Sequence, residues 1–304
     1  MTPIIIDCDP GIDDALALFL AAGSPELDLL AVTTVAGNRP VDITTANACR
    51  LLDLAGRQSV PVHAGCARPL AYPAPRCNLV HGADGLGGIA LPLLRGPDPQ
   101  HACDRLTQQL LQSAPGTLTL VALGPLTNLA MVEVKTPGAL RRARALLIMG
   151  GAAFCPGNIT PSAEFNFHAD PLAAHVVMGA GAEVKLFGLD VTSRAVMPPE
   201  WIASLGERGT RCGAAAGAML AAYAAVDPLL HDACPVAYLL DPEIFGGEPS
   251  AVSVDWRPGP TEGHSTVWPV TRDDKPFPPN AQVFTELAIT RLLALVSERI
   301  LRLP

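Results

Sequence analysis

The chain has 304 residues, of which 49 % are hydrophobic and 16 % are charged. This composition supplies enough apolar side chains for a large core and is opposite to that of a disordered protein, which is poor in apolar residues and rich in charge. The net charge of −8, together with a densest cationic cluster of only Arg141, Arg142 and Arg144, argues against a nucleic-acid partner.

Short apolar runs alternate with helix-length segments along the sequence. In chain order we predict a strand at 4–6, a helix at 13–22, a strand at 29–35, a helix at 41–55, a strand at 60–64, a helix at 102–113, a strand at 117–123, short helices at 126–132 and 139–143, a strand at 146–149, a helix at 171–178, a strand at 183–186, helices at 214–225 and 233–240, strands at 251–254 and 265–270, and an amphipathic helix at 282–297. The alternation predicts an α/β fold, namely a single-domain, Rossmann-like, mostly parallel central sheet with helices on both faces. Ligands of such sheets bind beyond the carboxyl ends of the strands.

Two segments rich in proline and glycine interrupt the alternation, at 66–100 and 257–280. Loops of this length in a compact domain are usually functional. The alternation continues on both sides of each segment, so neither has the character of a linker. We therefore expect one domain that spans 1–304.

Targeting segments and disulfides are not expected from this sequence. The apolar runs fall short of the about 18 residues that a membrane span needs. The N-terminus carries neither a basic segment nor a cleavage site, which predicts no signal peptide and a cytoplasmic location. The eight cysteines do not show C-x-x-C spacing, and we expect them to be reduced, small apolar side chains.

Four carboxylates follow the first predicted strand closely. Residues 7–15 read DCDPGIDDA and contain Asp7, Asp9, Asp13 and Asp14. Carboxylates this close repel one another, and a hard cation among them offsets that repulsion. An all-oxygen ligand set favours Ca²⁺ or Mg²⁺ over zinc. The alternative interpretation is that Asp13 and Asp14 only cap the next helix, where the helix dipole favours negative charge.

Spacing separates this cluster from two other motifs. An EF-hand loop that begins at Asp7 needs Glu at its last position, which is Leu18 here, so an EF-hand is excluded. A haloacid-dehalogenase-like phosphatase has two aspartates separated by one residue after a strand, as Asp7 and Asp9 are. The Thr or Val that usually follows in that family is Gly11 in this chain. A Mg²⁺-dependent phosphohydrolase therefore stays open as an alternative.

Further polar motifs follow the predicted strands in order. They are TTVAGN at 33–38, HGADGLGG at 81–88, ALGPLTNLA at 122–130, MGG at 149–151, GNITPSAEFN at 157–166, HAD at 168–170, GLDVT at 188–192 and HDACPVAY at 231–238. Together with DCDPGIDDA they resemble the inosine-uridine-preferring nucleoside hydrolase family over most of 4–240. The chain beyond Asp241 resembles that family only weakly.

The resemblance implies hydrolysis of the N-glycosidic bond of ribonucleosides to ribose and a free base, with one tightly bound Ca²⁺. The implied metal ligands are the carboxylates of Asp9, Asp14 and Asp232 and the backbone carbonyl of Leu123. The resemblance also implies a metal-activated water that attacks C1′, with Asp9 taking its proton. A shell of about seven or eight oxygens suits Ca²⁺ better than octahedral Mg²⁺.

The remaining motifs imply contacts with the substrate. The implied ribose contacts are Asp13 to the 2′-hydroxyl, Asn166 to the 2′/3′ edge, Asn158 and Glu164 to the 5′-hydroxyl, Met149 beneath the sugar, and Asn38 toward the sugar and the attacking water. On the base side the implied catalytic residue is His231, which protonates or hydrogen-bonds the leaving base. A second candidate is His81, in the loop 66–100 that we expect to act as a lid. Tyr223 is expected either to contact the base or to join the core.

Three hypotheses about function follow from these patterns. The leading one is a Ca²⁺-dependent ribonucleoside hydrolase whose partner is a small-molecule ribonucleoside, with no nucleic acid and no membrane. The alternatives are a Mg²⁺-dependent phosphohydrolase that is phosphorylated on Asp7, and a catalytically silent nucleoside- or ribose-binding protein. Members of the family tend to form dimers or tetramers, so the resemblance implies a homo-oligomer.

Overall fold

Alternating apolar side chains explain why the central sheet is buried on both faces. In β1 (Thr2–Cys8), Ile4 and Ile6 pack into the core on one face and Ile5 into the core on the other. The other strands are β2 (Leu27–Thr34), β3 (Val62–Ala64), β4 (Thr119–Ala122), β5 (Ala145–Met149), β6 (Val184–Phe187), β7 (Phe245–Val254), β8 (Ser265–Pro269) and β9 (Ala281–Leu287). The computed structural model describes residues 1–207 and 209–304, and within them these strands form one sheet.

The sheet is parallel except at one edge. Its strand order is β3-β2-β1-β4-β5-β6-β9-β7-β8. The strands from β3 to β9 in that order pair in parallel. Strand β7 runs antiparallel to both β9 and β8. The predicted α/β class with a mostly parallel central sheet is therefore confirmed.

Helices cover both faces of this sheet. They are α1 (Ile12–Ala22), α2 (Val41–Leu54), α3 (Ala102–Gln112), α4 (Thr127–Lys135), α5 (Phe165–Ala169), α6 (Pro171–Met178), α7 (Leu189–Thr192), α8 (Pro199–Glu207), α9 (Arg211–Tyr223), α10 (Ala233–Leu240) and α11 (Ile289–Ile300). One core takes Phe19 of α1 and Leu220 of α9, and the opposite core takes Leu106 of α3 and Leu129 of α4. Each face thus gains the apolar cover that parallel strands require.

The strand order reverses beside β1, and this reversal locates the site. The chain passes from β1 to β2 and β3 on one side, then continues with β4 on the other side of β1. Ligands of such sheets bind where the order reverses, at the carboxyl ends of the strands. Asp7 near the end of β1 pairs with Ala122 of β4, and the Leu123 N–H donates to the Asp7 carbonyl at 2.8 Å. The motifs at 7–15 and 122–130 therefore lie side by side.

The predicted helix at 282–297 is wrong in its first part. Ala281–Leu287 forms strand β9, hydrogen-bonded between β6 and β7, and the helix begins only at Ile289. A short apolar run of this kind fits both the helical and the strand period. Pairing with two neighbouring strands decides for the strand, which sequence periodicity alone does not indicate.

The predicted start of helix α6 is confirmed, whereas several shorter helices differ from the prediction. Helix α6 begins at Pro171, as predicted, because proline suits a first helical position and the Asp170 carboxylate accepts from the Ala173 N–H at 3.1 Å. The segment predicted as a helix at 139–143 is instead a 3₁₀ turn at Leu140–Arg142. The helices α5, α7 and α8 were not predicted; α5 and α7 span little more than one turn and show little periodicity.

Candidate active site

A cavity of about 430 Å³ opens at the carboxyl ends of the parallel strands. Every side chain predicted to contact substrate lines it: Asp13, Asn38, His81, Met149, Asn158, Glu164, Asn166 and Tyr223. Leu123, His231 and Asp232 line it as well. Asp9 and Asp14 are buried, at 1 % and 0 % exposure. The fold thus brings together residues that are far apart in the sequence.

The turn between β1 and α1 is shaped by the Asp14 side chain. Its carboxylate accepts hydrogen bonds from the backbone N–H groups of Asp9 at 3.2 Å and Gly11 at 2.9 Å. A Cβ at Gly11 would lie 2.8 Å from both the His81 ring and the Asn38 amide. Glycine is therefore required at this turn so that the loops that carry His81 and Asn38 can approach it.

Two glycines from other loops pack against the carboxylate of Asp9. A Cβ on Gly37 would lie 2.1 Å from Asp9 Oδ2, and one on Gly124 would lie 2.3 Å from Asp9 Oδ1. The Asn38 N–H donates to Asp9 Oδ2 at 2.6 Å. The other oxygen, Asp9 Oδ1, is buried and accepts no hydrogen bond within 1–207 and 209–304. A buried carboxylate oxygen without a donor is costly unless a cation lies against it.

Three further carboxylates converge in the same place. One oxygen from each of Asp13, Asp14 and Asp232 lies within 4.8 Å of the others. Burial, and then the neighbouring Asp13, raises the pKa of Asp14 to about 6 and holds that of Asp232 well above its usual range. Burial followed by Asp14 does the same to the pKa of Asp9. Buried oxygens that repel one another fit a hard divalent cation, so the donor set is a possible metal site.

Asp7 is a buried carboxylate below this cluster. Its Oδ1 accepts hydrogen bonds from Thr33 Oγ1 at 2.5 Å and from Asn128 Nδ2 at 2.8 Å. Burial raises the pKa of Asp7 to about 7. Asp7 is 2 % exposed and is absent from the described lining of the cavity. This burial opposes the phosphorylated Asp7 that the phosphohydrolase alternative requires.

The AEFN motif forms one wall of the cavity. Glu164 precedes α5, where its Oε1 accepts from the Asn166 N–H at 2.8 Å and its Oε2 from the Gly151 N–H at 2.9 Å. Asn166 Nδ2 then donates to the carbonyl of Leu123 at 2.7 Å and to that of Met149 at 3.2 Å. A carbonyl oxygen has two lone pairs, so the Leu123 carbonyl accepts this bond and keeps one for a cation.

His81 and Tyr223 pack against each other on the opposite wall. Their rings stack with centroids 5.0 Å apart. His81 Nδ1 accepts from the Ile12 N–H at 3.1 Å, and its Nε2 lies 3.7 Å from Asp13 Oδ1. Burial lowers the pKa of His81 to about 4. His81 is therefore neutral at pH 7 and suited to hold a ligand rather than to protonate one.

His231 has a different environment. Its Nδ1 lies 2.8 Å from Thr192 Oγ1 and its Nε2 lies 3.3 Å from Asp227 Oδ2. Burial lowers the pKa of His231, but the Asp227 carboxylate, helped by Asp13 and Glu164, outweighs it and raises the pKa above its usual value. His231 is thus the histidine of the cavity suited to donate a proton.

No role was predicted from the sequence for three side chains that shape the site. Asn78 and Asp227 lie outside the motifs, and Thr192 ends the GLDVT motif. Asn78 and Asp227 line the cavity, and Thr192 reaches it through His231. Asp227 lies four residues before His231 in the connection between α9 and α10, which is not helical there, so the spacing gives no local signal for this contact. The partners of Asn78 and Thr192 come from distant parts of the chain.

Comparison with known proteins identifies the family. The sequence model described as inosine-uridine preferring nucleoside hydrolase matches residues 4–294. The chain belongs to this nucleoside hydrolase family. It is 38 % identical over 273 residues to an inosine-uridine preferring nucleoside hydrolase from Leishmania major, with 87 % of both chains covered. It is 40 % identical over 270 residues to a non-specific ribonucleoside hydrolase from Escherichia coli, with 87 % of this chain and 88 % of the relative covered.

A solved structure has the same fold. The plant nucleoside hydrolase superposes with a TM-score of 0.91 at 34 % identity, and 98 % of both chains is covered. By its family, the chain described here is an enzyme that cleaves N-glycosyl bonds of ribonucleosides. The two alternatives, a phosphohydrolase and a catalytically silent binding protein, are not favoured. The family match extends past Asp241 to residue 294 and so includes most of the segment that resembles the family weakly. The described helices include none that is long and apolar enough to cross a membrane.

Proposed function

We propose that residues 1–304 form one nucleoside hydrolase domain that hydrolyses ribonucleosides with a single bound Ca²⁺. The observation that carries this proposal is the buried Asp9 Oδ1, which has no hydrogen-bond partner among the described residues. Three converging carboxylates lie next to Asp9, whose N–H donates to one of them, Asp14. The proposed ligands are Asp9, Asp14, Asp232 and the carbonyl of Leu123. An all-oxygen set with a backbone carbonyl suits the larger shell of Ca²⁺ better than the octahedron of Mg²⁺.

Asp9 is the proposed general base. Bound Ca²⁺ supplies positive charge that lowers the pKa of a nearby water. Asp9 takes a proton from the water that attacks C1′, and the Asn38 N–H holds the Asp9 carboxylate in place at 2.6 Å. Carboxylates around the ribose stabilise the positive charge that develops at C1′ as the bond to the base breaks.

The ribose is proposed to bind between the cluster and the AEFN wall. Asp13 accepts a hydrogen bond from the 2′-hydroxyl, and Asn166 holds the 2′/3′ edge. Glu164 and Asn158 hold the 5′-hydroxyl, and Met149 packs beneath the ring. Support comes from the rigid hydrogen bonds that orient Glu164 and Asn166 toward the cavity.

His231 is the proposed acid for the leaving base. The carboxylate of Asp227 at 3.3 Å favours its protonated form, and proton transfer to a ring nitrogen releases the base as a neutral molecule. His81 and Tyr223 are proposed to contact the base through their stacked rings. Water supplies the hydroxyl at C1′, so ribose and free base account for all atoms of the reactants.

A substrate panel tests the proposal. Purified protein is assayed for reducing sugar from inosine, uridine, cytidine, adenosine and their 2′-deoxy forms, with added Ca²⁺ and after chelation. We expect ribose release from ribonucleosides that chelation abolishes, that Ca²⁺ restores and that Asp9→Ala lacks. No ribose from any ribonucleoside by the Ca²⁺-loaded protein would refute the activity, and full turnover after exhaustive chelation would refute the metal.

We further propose that the protein is a homo-oligomer, a dimer or a tetramer, as its family resemblance implies. Light scattering on the eluate of a sizing column measures the mass directly. A mass of one chain across the assay concentrations would refute the proposal.

A further inference from the structure

The loop 66–100 is fastened to the body of the protein rather than free over the cavity. It joins β3 to α3 and carries Asn78 and His81, which line the cavity. Its first part is held by the Leu70 N–H, which donates to Asp170 Oδ2 at 2.9 Å. Farther along, His81 accepts from the backbone of α1. A further attachment lies between these points, at Arg76.

Arg76 forms an ion pair with a buried carboxylate from the C-terminal part of the chain. Its guanidinium lies 3.1 and 3.3 Å from the two oxygens of Glu262, which is only 8 % exposed. The same guanidinium donates to the carbonyl of His168 in α5 at 2.8 Å and lies 3.7 Å above the ring of Tyr72. The Tyr72 hydroxyl also donates to Glu262. We call Tyr72, Arg76 and Glu262 the clasp.

Backbone geometry brings Glu262 close to α5. Gly263 has a φ of +83°, and a Cβ there would lie 2.8 Å from His168 Cα. Glycine is therefore needed for the close approach of this turn to α5. Glu262 lies in the part of the chain beyond Asp241, whose sequence resembles the family only weakly.

The clasp is linked to the carboxylate cluster by a short series of contacts. Only Cys77 separates Arg76 from Asn78, so the two lie at most about 7 Å apart along the chain. Asn78 Nδ2 donates to Asn38 Oδ1 at 3.1 Å. Because this oxygen is occupied by a donor, the Asn38 amide nitrogen must point the other way, where it donates to the carbonyl of Asp9 and to Asp14 Oδ2, both at 3.3 Å.

We propose that Glu262 is a positioning residue for nucleoside hydrolysis: through Arg76 it holds Asn78 against Asn38 and keeps the substrate cavity in its binding-competent form. Without the clasp, the loop populates open forms in which Asn78 leaves Asn38. The apparent affinity then falls in proportion to the competent fraction, whereas saturating substrate restores turnover. The effect therefore falls on KM and not on kcat. This inference rests on the proposed function, since KM is its first readout.

Glu262→Gln tests the proposal, with Glu26→Gln as a matched control. Glu26 forms an ion pair with Arg299 next to β2, at the opposite end of the sheet from the cavity. If the clasp keeps the loop closed and about a tenth of the molecules stay competent without it, KM for a ribonucleoside rises about tenfold in Glu262→Gln with kcat within about twofold. The control keeps the KM of the parent. An unchanged KM in a folded Glu262→Gln protein overturns the proposal.

A double-mutant cycle with Asn78→Ala tests the route through Asn78. Residues that act through one another show non-additive effects. We expect Glu262→Gln to add less than about twofold to the KM of Asn78→Ala, because the contact that the clasp maintains is already lost. A full second increase in KM would show that Glu262 acts independently of Asn78 and overturn this route.

Hydrogen exchange supplies a readout that does not need turnover. In Glu262→Gln the hydrogen-bonded amides of the loop, those of Leu70 and Val80, and the Ile12 amide that donates to His81 should exchange at least about tenfold faster than in the parent. The amides of 16–22 in α1 and all amides of the control variant should keep the parental rates. If the parent protein releases no ribose, the proposed function fails and exchange still decides whether the clasp holds the loop. If Glu262→Gln does not fold, Arg76→Lys is the second variant. It keeps the charge but lacks the second nitrogen with which the guanidinium contacts the His168 carbonyl and Glu262 at once. Parental exchange at the Leu70 and Val80 amides in that variant overturns the proposal.

Discussion

Without the metal, the folded protein should become less stable to unfolding as the pH rises from acid conditions to pH 7. The chelated protein buries the carboxylates of Asp9, Asp13, Asp14 and Asp232 close together. Burial, then Asp13, raises the pKa of Asp14 from 3.8 to about 6. A carboxyl with a raised folded-state pKa binds its proton more tightly in the folded protein. Its contribution to stability is complete below pH 3.8 and is lost as the pH rises through about 6.

The magnitude follows from the size of this shift. A rise of about two units is worth about 3 kcal/mol, so Asp14 alone makes the chelated protein about that much less stable at pH 7 than under acid conditions. Bound Ca²⁺ acts in the opposite direction. At a thousandfold excess over its Kd, it stabilises the folded state by about 4 kcal/mol, and protons that compete for the same oxygens reduce this at pH 5.

Thermal unfolding measures the difference directly. Tm is followed by circular dichroism in Ca²⁺ and in chelator at pH 5, 6 and 7, and the Ca²⁺-induced shift is compared across pH. With a folded-state pKa of about 6 against an ordinary value of 3.8, about 1.3 kcal/mol of this difference falls between pH 5 and pH 7. The Ca²⁺-induced shift should therefore be roughly 3 to 5 °C larger at pH 7 than at pH 5. In Asp232→Asn, which removes one buried charge, the chelated protein should be more stable at pH 7 and the Ca²⁺ shift should nearly vanish. A Ca²⁺ shift that is equal at pH 5 and 7 would refute the reasoning.

Further predictions concern single contacts. Gly124→Ala places a methyl group 2.3 Å from Asp9 Oδ1 and should lower kcat for ribose release by at least about 100-fold; Gly96→Ala, which meets nothing within 4 Å, is the control and should keep kcat. 2′-Deoxyribonucleosides should show kcat/KM lower by about 10⁴, because Asp13 and Asn166 would be left unpaired; comparable values for inosine and 2′-deoxyinosine would contradict a site built on the 2′-hydroxyl. Asp227→Asn should move the alkaline limb of the kcat/KM profile to lower pH, since Asp227 raises the pKa of His231 and a general acid loses activity above its pKa; an unmoved limb would show that His231 is not that acid.

Most of the fold could be predicted because its local signals agree with its long-range pairing. The apolar run of β1, the turn at Gly11 and the carboxylates at the start of α1 all indicate a strand, a turn and a helix in that order. Segment 281–287 is the longest segment whose predicted type is wrong. Its residues fit two periods equally well, and only hydrogen bonds to β6 and β7, which are remote in sequence, make it a strand.

The candidate site also has a part that the sequence predicts and a part that it does not. The side chains that line the cavity near the carboxylates lie in dense motifs directly after strands, where parallel topology brings them to one edge of the sheet. Asn78 lies in a loop without regular structure, and its partner Asn38 is 40 residues away in sequence. Glu262 meets Arg76 across 186 residues. Spacing within a single motif carries no information on contacts of this kind.

The two sides of the cavity are also held by different kinds of contact, and this difference bears on specificity. On the side of the carboxylates, Asp9, Asp14 and Glu164 are fixed by backbone N–H donors, and glycines leave no room for other side chains around Asp9. On the side of His81 and His231, side chains also hold one another, as in the pairs His81–Tyr223 and His231–Asp227, in addition to the Ile12 N–H that donates to His81.

Backbone contacts tie a residue to the sheet and its turns, whereas a pair of side chains can be replaced together without moving either strand or helix. Substitutions at Tyr223 should therefore change which base is accepted while the ribose requirement stays constant. Substitutions at Gly37 or Gly124 should remove activity toward every nucleoside alike, because they displace Asp9, on which all substrates depend.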